Sequence, residues 1–119
     1  MQEKSSGDWH VYYGLNSFPE KVGYFPSSLL PGMMDKPVEL RFGGYVSHDK
    51  PTPSPPMGNG YVPSSGNATS ISSLNLIDAN GFHHAVEGDL PFSVSREECY
   101  PISDIEYGRF FYGGAGCSD

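Results

Sequence analysis

Ser70-Ile71-Ser72-Ser73-Leu74-Asn75-Leu76-Ile77-Asp78-Ala79-Asn80-Gly81-Phe82-His83-His84-Ala85-Val86 is the stretch from which the fold can be read. Two short runs, Ser70 to Ala79 and Phe82 to Val86, flank Asn80-Gly81, a pair whose residues tolerate positive φ and therefore suit a two-residue hairpin turn. The expectation is an antiparallel hairpin. His83 and His84 fall on alternate faces of its second strand, where packing and solvation account for them better than general base chemistry does.

The same grammar of short alternating runs between turn residues extends in both directions. Trp9 to Tyr13 places Trp9, Val11 and Tyr13 on one face, and Val22-Gly23-Tyr24-Phe25 stops at Pro26. Ser27 to Leu30 has room for one helical turn before Pro31-Gly32. Val38 to Val46 reads as a strand with Val38, Leu40, Phe42, Gly44 and Val46 on one face and Glu39, Arg41, Gly43 and Tyr45 on the other. From His48 to Gly66, repeated proline denies a central strand its backbone donors, so this is a surface loop or edge segment, either a plain connection or the rim of a cleft. Ile105 to Tyr112 reads as a buried aromatic strand, with Tyr107, Arg109 and Phe111 against Gly108, Phe110 and Tyr112.

Composition agrees with an all-β chain of one domain, residues 1–119. Fifteen glycines and 11 prolines disfavour a helical bundle, and 13% aromatic residues favour pleated surfaces. The net charge of −7, from 14 acidic and 7 basic side chains, disfavours nucleic acid and anionic membranes as partners. No apolar run approaches the roughly 20 residues of a membrane span. The polar stretch Met1 to Asp8 has no signal-peptide character. Two features point the other way, towards export. Asn67-Ala68-Thr69 is an N-glycosylation acceptor sequence, or a chance tripeptide. Cys99 and Cys117 either form a bridge or are two unrelated thiols. Neither they nor the histidines have metal-ligand spacing, and no cofactor motif is present.

Carboxylates are the remaining candidates for chemistry, since two of them facing one cleft can activate water and protonate a leaving group. Glu39, on the polar face of the Val38 to Val46 run, is the one weak candidate, since a single strand-borne glutamate is usually an ordinary exposed side chain. Glu87, Glu97 and Glu98 lie near turns.

Taken in order, Gly7-Asp8-Trp9 with Val11-Tyr12-Tyr13-Gly14, Val22-Gly23-Tyr24-Phe25-Pro26, Phe42-Gly43-Gly44, Ser54-Pro55-Pro56-Met57-Gly58-Asn59-Gly60, Cys99-Tyr100 and Phe110-Phe111-Tyr112-Gly113-Gly114 with a final cysteine form a set. The set resembles the carboxy-terminal half of the plant neprosin family, over nearly the whole chain. The resemblance implies an antiparallel β-sandwich, of which this chain holds the second half. It also implies secretion and a glutamic peptidase cutting at proline, with one catalytic glutamate from each half. Active relatives, on this resemblance, carry Gly-Gly-Glu where this chain has Gly43-Gly44-Tyr45. A phenol cannot replace a carboxylate in acid, and Glu39, six residues away, would stand about 20 Å along a strand. Three expectations follow from different classes: a degenerate or partial peptidase domain, a non-catalytic module binding proline-containing peptides or glycans, or a prolyl endopeptidase completed by self-association or by another chain; exposed sheet edges are the expected route of self-association.

Overall fold

The computed structural model describes residues 1–88 and 90–118. It is all-β, with six short strands: β1 (Trp9–Tyr13), β2 (Glu20–Phe25), β3 (Thr69–Ile71), β4 (Asn75–Ile77), β5 (His83–Ala85) and β6 (Phe110–Tyr112). They pair as three two-stranded antiparallel sheets, β1 with β2, β3 with β6 and β4 with β5, which are small for a sandwich. Among the described residues, helical structure is limited to single turns at Ser27–Leu29, Gly32–Asp35 and Pro63–Ser65. The chain divides into two compact units, Met1–Arg41 and the residues from Phe42 onward.

In the first unit, β1 and β2 run from Trp9 opposite Phe25 to Tyr13 opposite Glu20, and a bulge at Val11/Tyr12 leaves Val22 as the extra residue. Pro26, which has no N–H to give to a ladder, ends β2. The next backbone donor, Ser27 N–H, instead bonds the Asp8 carboxylate at 2.8 Å.

The second unit is organised around β6. Phe110 is 2% exposed and packs with Leu74 and Val86, while Ile71, Ile102, Ile105 and Tyr112 surround them. β3 pairs with β6 along one edge (Thr69 opposite Tyr112, Ile71 opposite Phe110). On the other edge Ile102 bridges to Tyr112, and Ser103 N–H donates to the Phe111 carbonyl at 2.9 Å.

Four sequence expectations need correction. The hairpin is present, as β4 and β5, but its turn spans Ala79 to Gly81. Asp78 N–H bonds the Phe82 carbonyl, Gly81 has φ +84°, and Asn80 is not in the left-handed region. A three-residue loop closing through a left-handed glycine is the alternative that Asn-Gly also permits. The run from Ser70 to Ala79 is two strands, because Ser73, at φ +57°, breaks the extended path and sends β3 to β6 and β4 to β5.

The strand expected from Ile105 to Tyr112 begins only at Phe110. Glu106 and Arg109 exchange both backbone hydrogen bonds across Tyr107-Gly108, whose φ angles of +51° and +69° make a tight reversal. Val38 to Val46 forms no strand. A strand is defined by its ladder partner, and this segment has none among the described residues. The alternation nevertheless persists from Gly44 to Val46. A Cβ on Gly44 would lie 2.5 Å from Met57 Sδ and 2.7 Å from the Tyr112 ring, while Val46 is half-buried and Tyr45 is 88% exposed.

Candidate functional site

Glu39 and Tyr45, the two positions on which peptidase chemistry would turn, fall in different units. Glu39 Oε1 accepts a 3.0 Å bond from Arg41 Nε, both side chains are largely exposed, and the carboxylate raises the pKa of the guanidinium. Glu39 is thus one half of a surface ion pair. Tyr45 is held at its backbone by the close approach of Gly44 to Met57 and Tyr112, and its side chain projects into solvent.

A proton donor for a leaving amine needs a carboxyl displaced upward. Among the described residues, the two carboxyls with a clear displacement both move down. Asp78 is held low chiefly by the hydrogen bond from His84 Nε2 (2.7 Å), with help from the Phe82 and Asn80 amides. Glu98 is held low first by its own backbone amide and then by Arg96 (3.2 Å). Ionised, solvent-facing carboxylates stabilise turns and attract cations; they do not deliver protons. His83 and His84 are both exposed, and His84 is committed to Asp78.

The Pro-rich segment is an edge built against the C-terminal strand. Ser54, 7% exposed, donates its N–H to the Cys117 carbonyl (3.0 Å) and accepts from Cys117 N–H at Oγ (2.7 Å). Met57 N–H donates to the Gly114 carbonyl at 2.9 Å, and the Tyr100 hydroxyl donates to the Pro55 carbonyl at 2.8 Å. Prolines are tolerated here because Ser54 and Met57 supply the donors the prolines lack. Gly113, Gly114 and Gly116 press directly on the Tyr61, Cys99 and Ser54 carbonyls, so only glycine fits. Cys99 and Cys117 are buried and joined by a disulfide with Cα atoms 5.4 Å apart, which resolves the alternative left open by the sequence. With both sulfurs bonded to each other, their grouping with Glu98 offers no thiolate to a metal.

The feature sequence reasoning missed lies on the solvent side of β6. An open concavity of ≈ 800 Å³ is lined by Ser73, Phe92, Asp104, Tyr107, Arg109 and Phe111, among others. The Arg109 guanidinium sits 4.7 Å from the Phe111 ring centroid and donates to Ser70 Oγ at 3.1 Å, which fixes the cation over an aromatic floor. Tyr107 is 94% exposed at the rim, on a left-handed backbone. The alternation of Tyr107, Arg109 and Phe111 was visible in the sequence; the neighbours from Ser72–Ser73 and Phe92 that turn it into a concave surface were not. Asn67, the acceptor-sequence asparagine, is exposed between the turn at Pro63–Ser65 and β3.

A family model described as Neprosin matches residues 1–115 of the chain. No curated protein matches it, and no solved structure does.

Proposed function

The chain belongs to the neprosin family, and from that premise we propose that it is a degenerate peptidase-type domain without hydrolytic activity of its own. The observation that carries this reading is Tyr45. It stands where the family resemblance calls for a glutamate, it is exposed, and the nearest glutamate in sequence, Glu39, is paired with Arg41. Carboxylate-assisted amide hydrolysis needs one group to take a proton from water and a second to give one to the leaving nitrogen. Among the described residues, no two carboxylates are seen to face one cleft in the way these roles require. The test is a quenched proline-containing peptide incubated between about pH 2.5 and 7, which brackets carboxylate titration. No turnover is expected from the unmodified protein or from Tyr45→Glu, since that change restores at most one of two groups. Turnover that disappears in Glu39→Gln would overturn the reading and make Glu39 catalytic.

The concavity beside β6 supports a second reading, a non-catalytic module that binds an extended peptide. An aromatic floor with a fixed guanidinium suits proline rings and backbone carbonyls, because the ring is apolar and the carbonyl accepts. Titration with proline-containing and proline-free peptides of equal length separates this reading from inert degeneracy. Equal or absent binding of both would remove it.

A further inference from the structure

The hydrolytic reading leaves unused the loop around Asn67, and we infer that Asn67 carries an N-linked glycan attached while the chain is still unfolded in an oxidising, membrane-bounded compartment. Three observations converge on this position. First, Asn67 is exposed and Ala68, next to it, is buried, so the fold leaves the asparagine side chain outside. Second, the loop is fixed without that side chain. Asn67 N–H donates to Ser65 Oγ (3.2 Å) and the Asn67 carbonyl accepts from Asn59 Nδ2 (2.6 Å), whereas its own amide takes part in no hydrogen bond among the described residues. A bulky substituent therefore disturbs nothing. Third, the buried Cys99–Cys117 bridge ties the product to an environment where disulfides persist, and the lumen that forms them is also where asparagine is glycosylated.

The structure also dictates when the transfer happens. Thr69, whose hydroxyl completes the acceptor tripeptide, accepts the Asn59 N–H at Oγ1 (2.9 Å) and lies against Gly58, where even a Cβ would come within 2.6 Å of Oγ1. Once the Gly58 to Thr69 loop has closed, the hydroxyl is committed and crowded. The acceptor is thus competent before folding and locked after it. In the transfer, the Asn67 amide nitrogen attacks the anomeric carbon of a lipid-pyrophosphate-linked oligosaccharide. The new C–N bond forms as the sugar–phosphate C–O bond breaks, the lipid pyrophosphate leaves with the electron pair, and the amide proton passes to a base of the transferase. The glycan would lie on the loop that carries exposed Tyr61 and Val62, screening them from other chains.

The experiment is in vitro translation of the full chain behind the cleavable leader of an unrelated secreted protein, with microsomes, scored in the protease-protected fraction. One discrete upward mass step is expected. Peptide N-glycosidase should reverse it and leave aspartate at position 67, Asn67→Gln should lack it, and Thr69→Ser should keep it. This readout is made on the nascent chain, so it does not depend on how the variants fold. Purified unglycosylated protein with its bridge closed, added to the same microsomes after detergent permeabilisation, should stay at its original mass. A protected chain of unmodified mass, or a step that survives Asn67→Gln, would overturn the assignment. Modification of the prefolded protein would overturn the argument about timing.

Discussion

Tyr107 concentrates the conflict between local preference and tertiary demand at one residue. The reversal Glu106-Tyr107-Gly108-Arg109 needs left-handed angles at both central positions, which Gly108 meets freely and a tyrosine does not. Nothing buries the ring to offset that strain, since it is 94% exposed. Tyr107→Asn should therefore raise stability by about 1 kcal/mol, read as a shift in the urea midpoint. If Tyr107 is retained for ligand contact, the same variant will bind proline-containing peptides more weakly. Stability rising with binding unchanged would leave the ring without a role in recognition. Gly114 shows the opposite case. A Cβ there would collide with the Cys99 carbonyl, in backbone at φ +142°, so Gly114→Ala should cost at least about 3 kcal/mol and slow formation of the bridge in refolding. Gly-Gly-Ala-Gly was legible in the sequence as a turn. Its use as a close-approach surface for Ser54, Tyr61 and Cys99 was not, because those partners lie far away along the chain.

Among the elements, the β4–β5 hairpin is the most self-contained, and its turn is pinned by one carboxylate. Asp78 Oδ1 accepts the Asn80 and Phe82 amides while Oδ2 meets His84. These contacts depress the Asp78 pKa, so its stabilising contribution is fully present above the ordinary aspartate value of about 3.9 and is lost as the pH falls through the depressed value. Amide exchange at Asn80 and Phe82, corrected for its intrinsic pH dependence, should quicken in that acid range and be insensitive to it in Asp78→Ala. Unchanged acid sensitivity in the variant would assign the effect elsewhere. This hairpin could be read from sequence because turn and strands are contiguous. The β6 strand was legible in its alternation, and Phe110→Ala should cost about 3–5 kcal/mol because the ring is the most buried in the core. Val38 to Val46 shows the limit: alternation matches packing only from Gly44 to Val46, while Val38, Leu40 and Phe42 of the same face stand exposed, and it is silent on whether a neighbouring strand exists. The pairing of Ser54 with Cys117, 63 residues apart, was equally invisible, since prolines hide an edge strand behind the composition of a loop.

At the scale of the whole molecule, surface area sets the decisive constraint. Two separate folded bodies of about 41 and 78 residues would together expose roughly 7,600 Å², whereas this protein exposes 9195 Å². In the first unit Phe18 (94%), Leu15 (72%), Val22 (64%), Tyr13 (64%), Tyr24 (55%) and Phe25 (52%) stand open on and around a hairpin whose β1 edge is partly covered by Met1 and Gln2 and whose β2 edge has no ladder partner among the described residues. An isolated two-stranded hairpin is marginal in water, and open strand edges recruit other chains. Concentration-dependent self-association is therefore expected, visible in sedimentation velocity as a weight-average mass rising above that of one chain. Val22→Lys, at the unpaired bulge position where a lysine reaches solvent without breaking a ladder bond, should lower that mass at equal concentration. Phe110→Ala should act differently, because it loosens the second unit's core and favours aggregation of unfolded chains. A protein that stays monomeric at high concentration and unfolds in one cooperative step would show that the first unit covers its aromatic face by itself. Dissociation by Val22→Lys with unchanged proline-peptide binding would place association on the hairpin and recognition on β6, two separate surfaces of the chain.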